Sequence, residues 1–407
     1  MHIGPIFRSL MHNKSRFWLI TLEIALTLAI VVNCVNLLID MRREISEPSG
    51  IDEDNLLAIY AQPFGEGYQD QDFRREIQKE DLRRLRALPG VVDAVAISAI
   101  PLSGSGGATG RKPRDSELDP LTLPYFVVSD GALETLDVEL VAGRDFSPSD
   151  FDFDQEAYER GEYAKAVILS QEAADDLFPD GNAVGQVIQS REGDLFNRVV
   201  GVIDHMVCAW PTWEYAKRTV LLPGHPGDNR DLKYMVRAEP GALDQVFGAV
   251  TETIESVDGD RVIRVETLQE TKLEYFETSL ATMKMLTAVI ALLIVVTSLG
   301  IIGLTSFWVT ERTRQIGTRR ALGATKADIV RHFLIENWII TGIGLIIGLA
   351  FTYGLNYGLA QFAEAPKVEI VLIAAGALGL WLTGVVAALA PALRATSVAP
   401  EIATRTV

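Results

Sequence analysis

Apolar positions along this 407-residue chain follow two regimes. Four runs are nearly unbroken, at residues 17–39, 280–309, 335–362 and 368–393. Each meets the roughly 20 apolar residues needed to cross about 30 Å of hydrocarbon, so four membrane-spanning helices are predicted. Between the first and second runs the pattern breaks into short alternating stretches bounded by Gly, Pro and polar clusters. There, 55–61 reads as a strand, 72–88 as an amphipathic helix stopped by Pro89-Gly90, and 91–98 as a strand. The same order recurs with a strand at 233–239, a helix opened by Pro240-Gly241 and running to about 257, and a strand at 261–265.

Two βαβ-like units, about 50–100 and 231–268, thus flank an insert of about 101–230. The insert shows strands at 125–128, 166–169 and 199–203, with a short helix at 171–178. Its opening stretch, 101–119, is rich in Gly, Ser and Pro and reads as a flexible loop. The predicted fold class is an α-helical membrane protein with four transmembrane helices and a large α+β extracytoplasmic domain, 40–279, built of those two units around a mixed insert.

Charge orients the chain. From Glu311 to Arg331 six Lys/Arg (Arg312, Arg314, Arg319, Arg320, Lys326, Arg331) face two acids, Glu311 and Asp328. A short loop biased in this way is held in the cytoplasm, so residues 310–334 lie inside. Alternation then exports 40–279 and returns both termini, 1–16 and 394–407, to the cytoplasm, in agreement with Arg8, Lys14, Arg16 and Arg394. The first run exceeds the 7–15 residues of a signal-peptide core and is read as a retained anchor. The net charge of −17 hides a split, because residues 40–277 hold 24 Lys/Arg against 47 Asp/Glu while the remainder holds 13 against 7. An outer domain so acidic is not a nucleic-acid binder and suits cationic partners or solubility.

Catalytic chemistry finds little support. The stretch Ser103-Gly-Ser-Gly-Gly-Ala-Thr-Gly110 lacks the spacing of a phosphate loop, and no G-x-S-x-G elbow occurs. His205 and Cys208 have no second pair to complete a zinc site, and the two cysteines, Cys34 and Cys208, form no disulfide framework. No cofactor is expected on this chain.

The basic segment carries more information. Ile316, Arg319, Arg320 and Gly323 share one broad helical face, Gly323 interrupts the helix, and Thr325-Lys-Ala-Asp328 is a capping box that starts the next. Such a knob can dock into a cytosolic partner through its guanidinium groups; equally, it can be a juxtamembrane loop that sets orientation and touches anionic membrane lipid. In the first span Glu23, Asn33 and Asn36 are polar, which admits a proton or substrate path but is met more simply by interface or interhelical hydrogen bonding. Gly344 and Gly348 form a small-xxx-small pattern, the mark of close helix packing.

Several phrases together resemble MacB/FtsX-type permeases of ABC transporters. These are Leu140-Val-Ala-Gly-Arg-Asp-Phe146, Val167-Ile-Leu-Ser-Gln-Glu-Ala173, Leu177-Phe-Pro-Asp-Gly181 with Val184-Gly-Gln186, and Val199-Val-Gly-Val-Ile-Asp204, which are similar to the MacB-like periplasmic core domain. The segment from Glu311 to Asp328 resembles the family's coupling region, and Ala390-Pro-Ala-Leu-Arg394 with Val398-Ala-Pro-Glu401 its C-terminal end. The resemblance implies a bacterial inner-membrane permease subunit, not itself an enzyme, working as a homodimer or heterodimer with a second permease copy. It implies a separate ABC ATP-binding subunit that carries ATP and Mg, and a periplasmic adaptor for export of a peptide, antibiotic or lipidic substrate. It assigns coupling to Glu311, Arg312, Arg314, Gln315, Ile316, Arg319, Arg320 and Leu322; family members commonly carry an acid where this chain has Gln315. Two other uses of the same machine stay open, actuation of a periplasmic partner such as a cell-wall hydrolase and release of lipoproteins.

Overall fold

A computed structural model describes residues 14–152, 164–191, 195–226, 231–363 and 366–397. Arg8, the phrase at 398–401 and the middle of the predicted outer loop 363–367 lie outside the described residues, as do the side chains of Lys14 and Arg16. The chain divides into two compact units, Ser46–Thr278 and the remainder.

The first helix, α1 (Lys14–Ile45), belongs to the membrane unit. In the outer unit, β1 (Leu56–Pro63), α2 (Gln71–Arg86) and β2 (Val91–Ala96) form the first βαβ-like half. The insert supplies β3 (Gly107–Pro113), β4 (Leu121–Val128), β5 (Leu140–Gly143), β6 (Ala164–Ser170), α3 (Gln171–Leu177), β7 (Val187–Ser190), β8 (Phe196–Ile203) and β9 (Val220–Pro223). The second half is β10 (Leu232–Ala238), α4 (Leu243–Glu255) and β11 (Arg261–Thr267), and α5 (Leu268–Tyr275) follows.

The two halves interleave in one sheet of order β11-β1-β10-β2, in which every neighbouring pair is antiparallel. Each half's two strands are therefore parallel and separated by a strand of the other, a split βαβ arrangement. Period-2 alternation divides the sheet's faces. Leu57, Ile59 and Ala61 pack with Tyr234, Val236 and the helix residues Leu82, Leu85, Val246 and Val250, while Leu56, Ala58 and Met235 turn to the insert's Phe126, Ile168, Ile203 and Leu221. The halves are also tied by charge. Arg261 on β11 and Asp81 on α2, both fully buried, pair through Arg261 Nη2 at 3.1 Å from Asp81 Oδ1, and the Tyr234 hydroxyl on β10 donates to Asp81 Oδ2 at 2.5 Å. Burial pushes the Tyr234 hydroxyl well above its ordinary range, which keeps it a donor.

The insert's strands run β5-β8-β6-β9-β4-β3-β7, and a further β7–β8 pairing closes this sheet on itself. This corrects the reading of 101–119 as a flexible loop, because Gly107–Pro113 is a strand held between β4 and β7. Its glycines weaken local strand propensity, but Gly107 lies under the Tyr125 ring, where an added Cβ would stand 2.8 Å from ring carbons. Cross-strand packing of that ring overrides the local signal.

In the membrane unit α6 (Glu277–Glu311), α7 (Thr313–Ala321), α8 (Lys326–Ala363) and α9 (Ile370–Ala395) join α1. The long helices α1, α6, α8 and α9 are apolar and long enough to cross a membrane. Three outrun the predicted spans: α1 reaches Ile45, α6 starts at Glu277, and α8 starts at Lys326, nine residues before the predicted 335. A helix satisfies its own backbone in water as in lipid, so the hydrocarbon boundary does not end it.

Candidate coupling site

The segment between α6 and α8 is built as a braced knob. Gly323, at φ +99°, adopts a left-handed conformation that ends α7, and Thr325 starts α8 as its N-cap. The Thr325 backbone N–H and hydroxyl both donate to Asp328 Oδ2, at 3.0 and 2.6 Å, and the Asp328 N–H donates to Thr325 Oγ1 at 3.2 Å, the reciprocal capping box predicted from the sequence.

The predicted coupling residues divide by environment. Arg314, Gln315, Arg319 and Leu322 are exposed, Leu322 at 83%. Ile316 is instead a core residue, 4% exposed, in the cluster that includes Trp308, Ile329 and Phe333. Arg312 points inward and pairs with Glu336 of α8, which is 1% exposed; His332 Nε2 stands 3.6 Å from the same carboxylate oxygen. Arg320 is half-buried and its Nη1 donates to the Thr396 carbonyl at 3.1 Å. The expectation that Ile316, Arg319, Arg320 and Gly323 share one face is therefore corrected, since Ile316 is buried, Arg320 half-buried, and Arg319 and Gly323 exposed. A nine-residue helix too short to be stable alone must bury one side, and Ile316 is on that side. Glu311 is exposed at the end of α6.

Glu336 escaped the sequence reading, although an acid inside a predicted span is the signal that marks such a residue. The inner helices also hold the polar residues singled out earlier. Asn33 Nδ2 donates to the Ala29 carbonyl at 2.8 Å and to the Thr352 carbonyl at 3.3 Å, and Asn36 Nδ2 donates to the Pro366 carbonyl at 2.8 Å. Asn356 Nδ2 reaches the same carbonyl at 3.0 Å, so two amides anchor the turn into α9. Apart from the Asn33–Ala29 bond, which lies within α1, these are interhelical and turn-holding hydrogen bonds. Glu23 rests against Gly300, where an added Cβ would come within 2.7 Å of its carboxylate oxygens. Gly344 and Gly348 face α1 within the same chain; a Cβ on Gly344 would meet Ile24 at 2.9 Å, and one on Gly348 would meet Ala25 Cα at 3.1 Å.

In the outer unit His205 and Cys208 are separately engaged. The His205 ring nitrogens face Glu172 Oε1 at 3.3 Å and the Pro48 carbonyl at 3.1 Å. Burial pushes the Cys208 thiol up to about 11, which keeps it unreactive.

Comparison with known proteins follows this architecture. A family model described as the MacB-like periplasmic core domain matches residues 17–253, and one described as the FtsX-like permease C-terminal matches residues 287–400. The macrolide export ATP-binding/permease protein MacB of Neisseria meningitidis serogroup A is 25% identical over 369 residues, covering 89% of this chain and 54% of that protein. The probable syringafactin export ATP-binding/permease protein SyfD of Pseudomonas syringae pv. tomato is 29% identical over 264 residues, covering 61% of this chain and 36% of that protein. The chain spans about half the length of the MacB relatives it matches along most of its own length. Among solved structures, the periplasmic region of MacB from Actinobacillus actinomycetemcomitans aligns at a TM-score of 0.37 and 14% identity, covering 56% of this chain and 96% of that one.

Proposed function

Because the chain belongs to the MacB-like periplasmic core domain family, completed by an FtsX-like C-terminal segment, we propose that it transmits ATP-driven motion across the inner membrane as a permease subunit. The observation that carries this reading is the construction of α7. Its inner side is locked to the membrane helices by Ile316 and by the Arg312–Glu336 pair, while Arg314, Gln315, Arg319 and Leu322 are exposed. A knob so braced passes a push from a cytosolic partner into α6 and α8 instead of absorbing it.

The partner is an ABC ATPase carrying ATP and Mg, a reading supported by the relatives' description as ATP-binding/permease proteins. Guanidinium groups at 314 and 319 meet carboxylates on that subunit, and Leu322 fills an apolar pocket there. A second permease copy packs along α6, where Met285, Val289, Leu292, Val296 and Leu299 are exposed at alternating four- and three-residue spacing, the repeat of a helix–helix seam. The periplasmic domain is the moving output, with an adaptor protein as its receiver. The exported cargo is a peptide, antibiotic or lipidic molecule, a reading supported by relatives described as exporting macrolides and syringafactin.

The reading is tested by reconstituting the purified chain in lipid vesicles with and without its cognate ATPase subunit. No ATP hydrolysis above a mock preparation is expected from the chain alone, and hydrolysis that responds to the permease is expected once the ATPase is added. Hydrolysis by the chain alone, or an ATPase rate indifferent to its presence, overturns the proposal.

A further inference from the structure

A groove of about 760 Å³ opens between α8 and α9 at their cytoplasmic ends, and the transmission mechanism makes no use of it. One wall is a single stripe of α8, since Val330, Arg331, Leu334 and Trp338 recur at helical spacing; Trp381 of α9 faces it, its ring 5.7 Å from that of Trp338. The walls are apolar, and the charged side chains that line it are the cations Lys326 and Arg331. The nearest acid along α8, Asp328, is turned back onto Thr325 as its cap.

We propose that this groove holds an anionic phospholipid of the cytoplasmic leaflet, with its phosphate at Lys326 and Arg331 and one acyl chain lying along Leu334 to the Trp338–Trp381 pair. Depth fits this occupant. At 1.5 Å per residue, Trp338 lies about 10 Å beyond Arg331 and about 18 Å beyond Lys326, bracketing the roughly 15 Å of one leaflet's hydrocarbon. Charge fits it too, because basic clefts between helices on the cytoplasmic side select acidic headgroups, and two lysine or arginine side chains near the surface favour an anionic over a zwitterionic lipid by on the order of tenfold. A neutral lipid would offer these cations no charge beyond the partial compensation that Asp328 gives Arg331. The consequence is a lipid seated between α8 and α9 next to Thr396, the α9 cap residue whose carbonyl accepts from Arg320 of α7, and the site goes beyond the transmission reading, resting only on the orientation of the chain.

The test uses the full chain in phosphatidylcholine vesicles doped with acyl-brominated phosphatidylglycerol or acyl-brominated phosphatidylcholine, with tryptophan fluorescence as the readout. The difference between wild type and the Trp338→Phe/Trp381→Phe variant isolates these two of the chain's six tryptophans. Brominated phosphatidylglycerol is expected to quench their component at a mole fraction about tenfold lower than brominated phosphatidylcholine. In Lys326→Gln/Arg331→Gln, whose substitutions fall on exposed side chains, the two lipids should quench alike. Equal quenching in the wild type, or a preference that survives removal of both cations, overturns the proposal. Absence of quenching by either lipid overturns it as well, since it means that protein covers the groove.

Discussion

Arg312 Nη1 lies 2.6 Å from Glu336 Oε1, joining the turn between α6 and α7 to the buried face of α8. The two residues are 24 positions apart, and Glu336 is 1% exposed. An acid at that depth is tolerable only with a cation beside it, so the pair fixes where the knob sits on the helix bundle.

Removing one partner should therefore be worse than exchanging both. Arg312→Ala leaves the buried carboxylate with only the His332 ring, 3.6 Å away, beside it, a loss of up to about 3–5 kcal/mol, and should lower the melting temperature of the detergent-solubilised protein by several degrees. The exchange Arg312→Glu/Glu336→Arg should recover part of that loss. Thermal melts of the two variants decide the matter: an Arg312→Ala protein as stable as wild type would show that the pair braces nothing.

Docking of the ATPase is better tested at Arg314 and Arg319 than at Arg320, because Arg320 already donates to the Thr396 carbonyl inside the membrane unit. Reversing both charges, Arg314→Glu/Arg319→Glu, should weaken capture of the ATPase subunit by roughly two orders of magnitude, the effect of a few kcal/mol lost from interfacial ion pairs. Insertion and the melting temperature should be unchanged, since both side chains are exposed. Co-purification at wild-type yield would reduce the segment to a topogenic loop.

The outer domain carries an acid-sensitive brace. Burial pushes the Asp150 carboxyl up, but the Arg144 guanidinium at 2.7 Å and the Ser147 N–H and hydroxyl, each also at 2.7 Å, outweigh it and hold the group at about 2. The folded state thus binds this proton more weakly than the unfolded chain, whose carboxyl titrates near 3.9. The stabilisation is complete above about pH 4 and disappears as the pH falls to about 2. With Arg144 half-exposed to solvent, it amounts to on the order of 1 kcal/mol. Asp150→Asn should lower stability at neutral pH, and its melting curve should converge on the wild-type curve near pH 2; curves that stay parallel across this window rule the brace out.

The α6 seam gives a geometric prediction for the second copy. Both native cysteines are buried, so a single Leu292→Cys, at a position 62% exposed, places one reactive thiol on the proposed contact. Mild oxidation in membranes should give a covalent dimer, whereas Leu355→Cys on α8, exposed but off the seam, should stay monomeric. Equal dimer yields at both positions would mean that collisions, and no specific seam, produce the link.

The sequence by itself determined the four apolar helices, the inward-facing basic segment and the strand–helix–strand halves, because each rests on local information: run length, charge count and periodicity. The capping box at Thr325 was legible for the same reason, its partners being three residues apart. The interleaving of the two halves was decided only by the tertiary structure. Strands β1 and β10 are about 175 residues apart along the chain, and no local pattern states that Leu57 faces Val236. The strand at Gly107–Pro113 was hidden because its stability comes from β4, β7 and the Tyr125 ring, while its own residues argue for a loop. Within the basic segment 311–331, composition singled out the arginines but could not sort them. Arg312, Arg319 and Arg320 are identical in chemistry; the buried carboxylate of Glu336 claims the first, the Thr396 carbonyl takes the third, and only the middle one is left facing water.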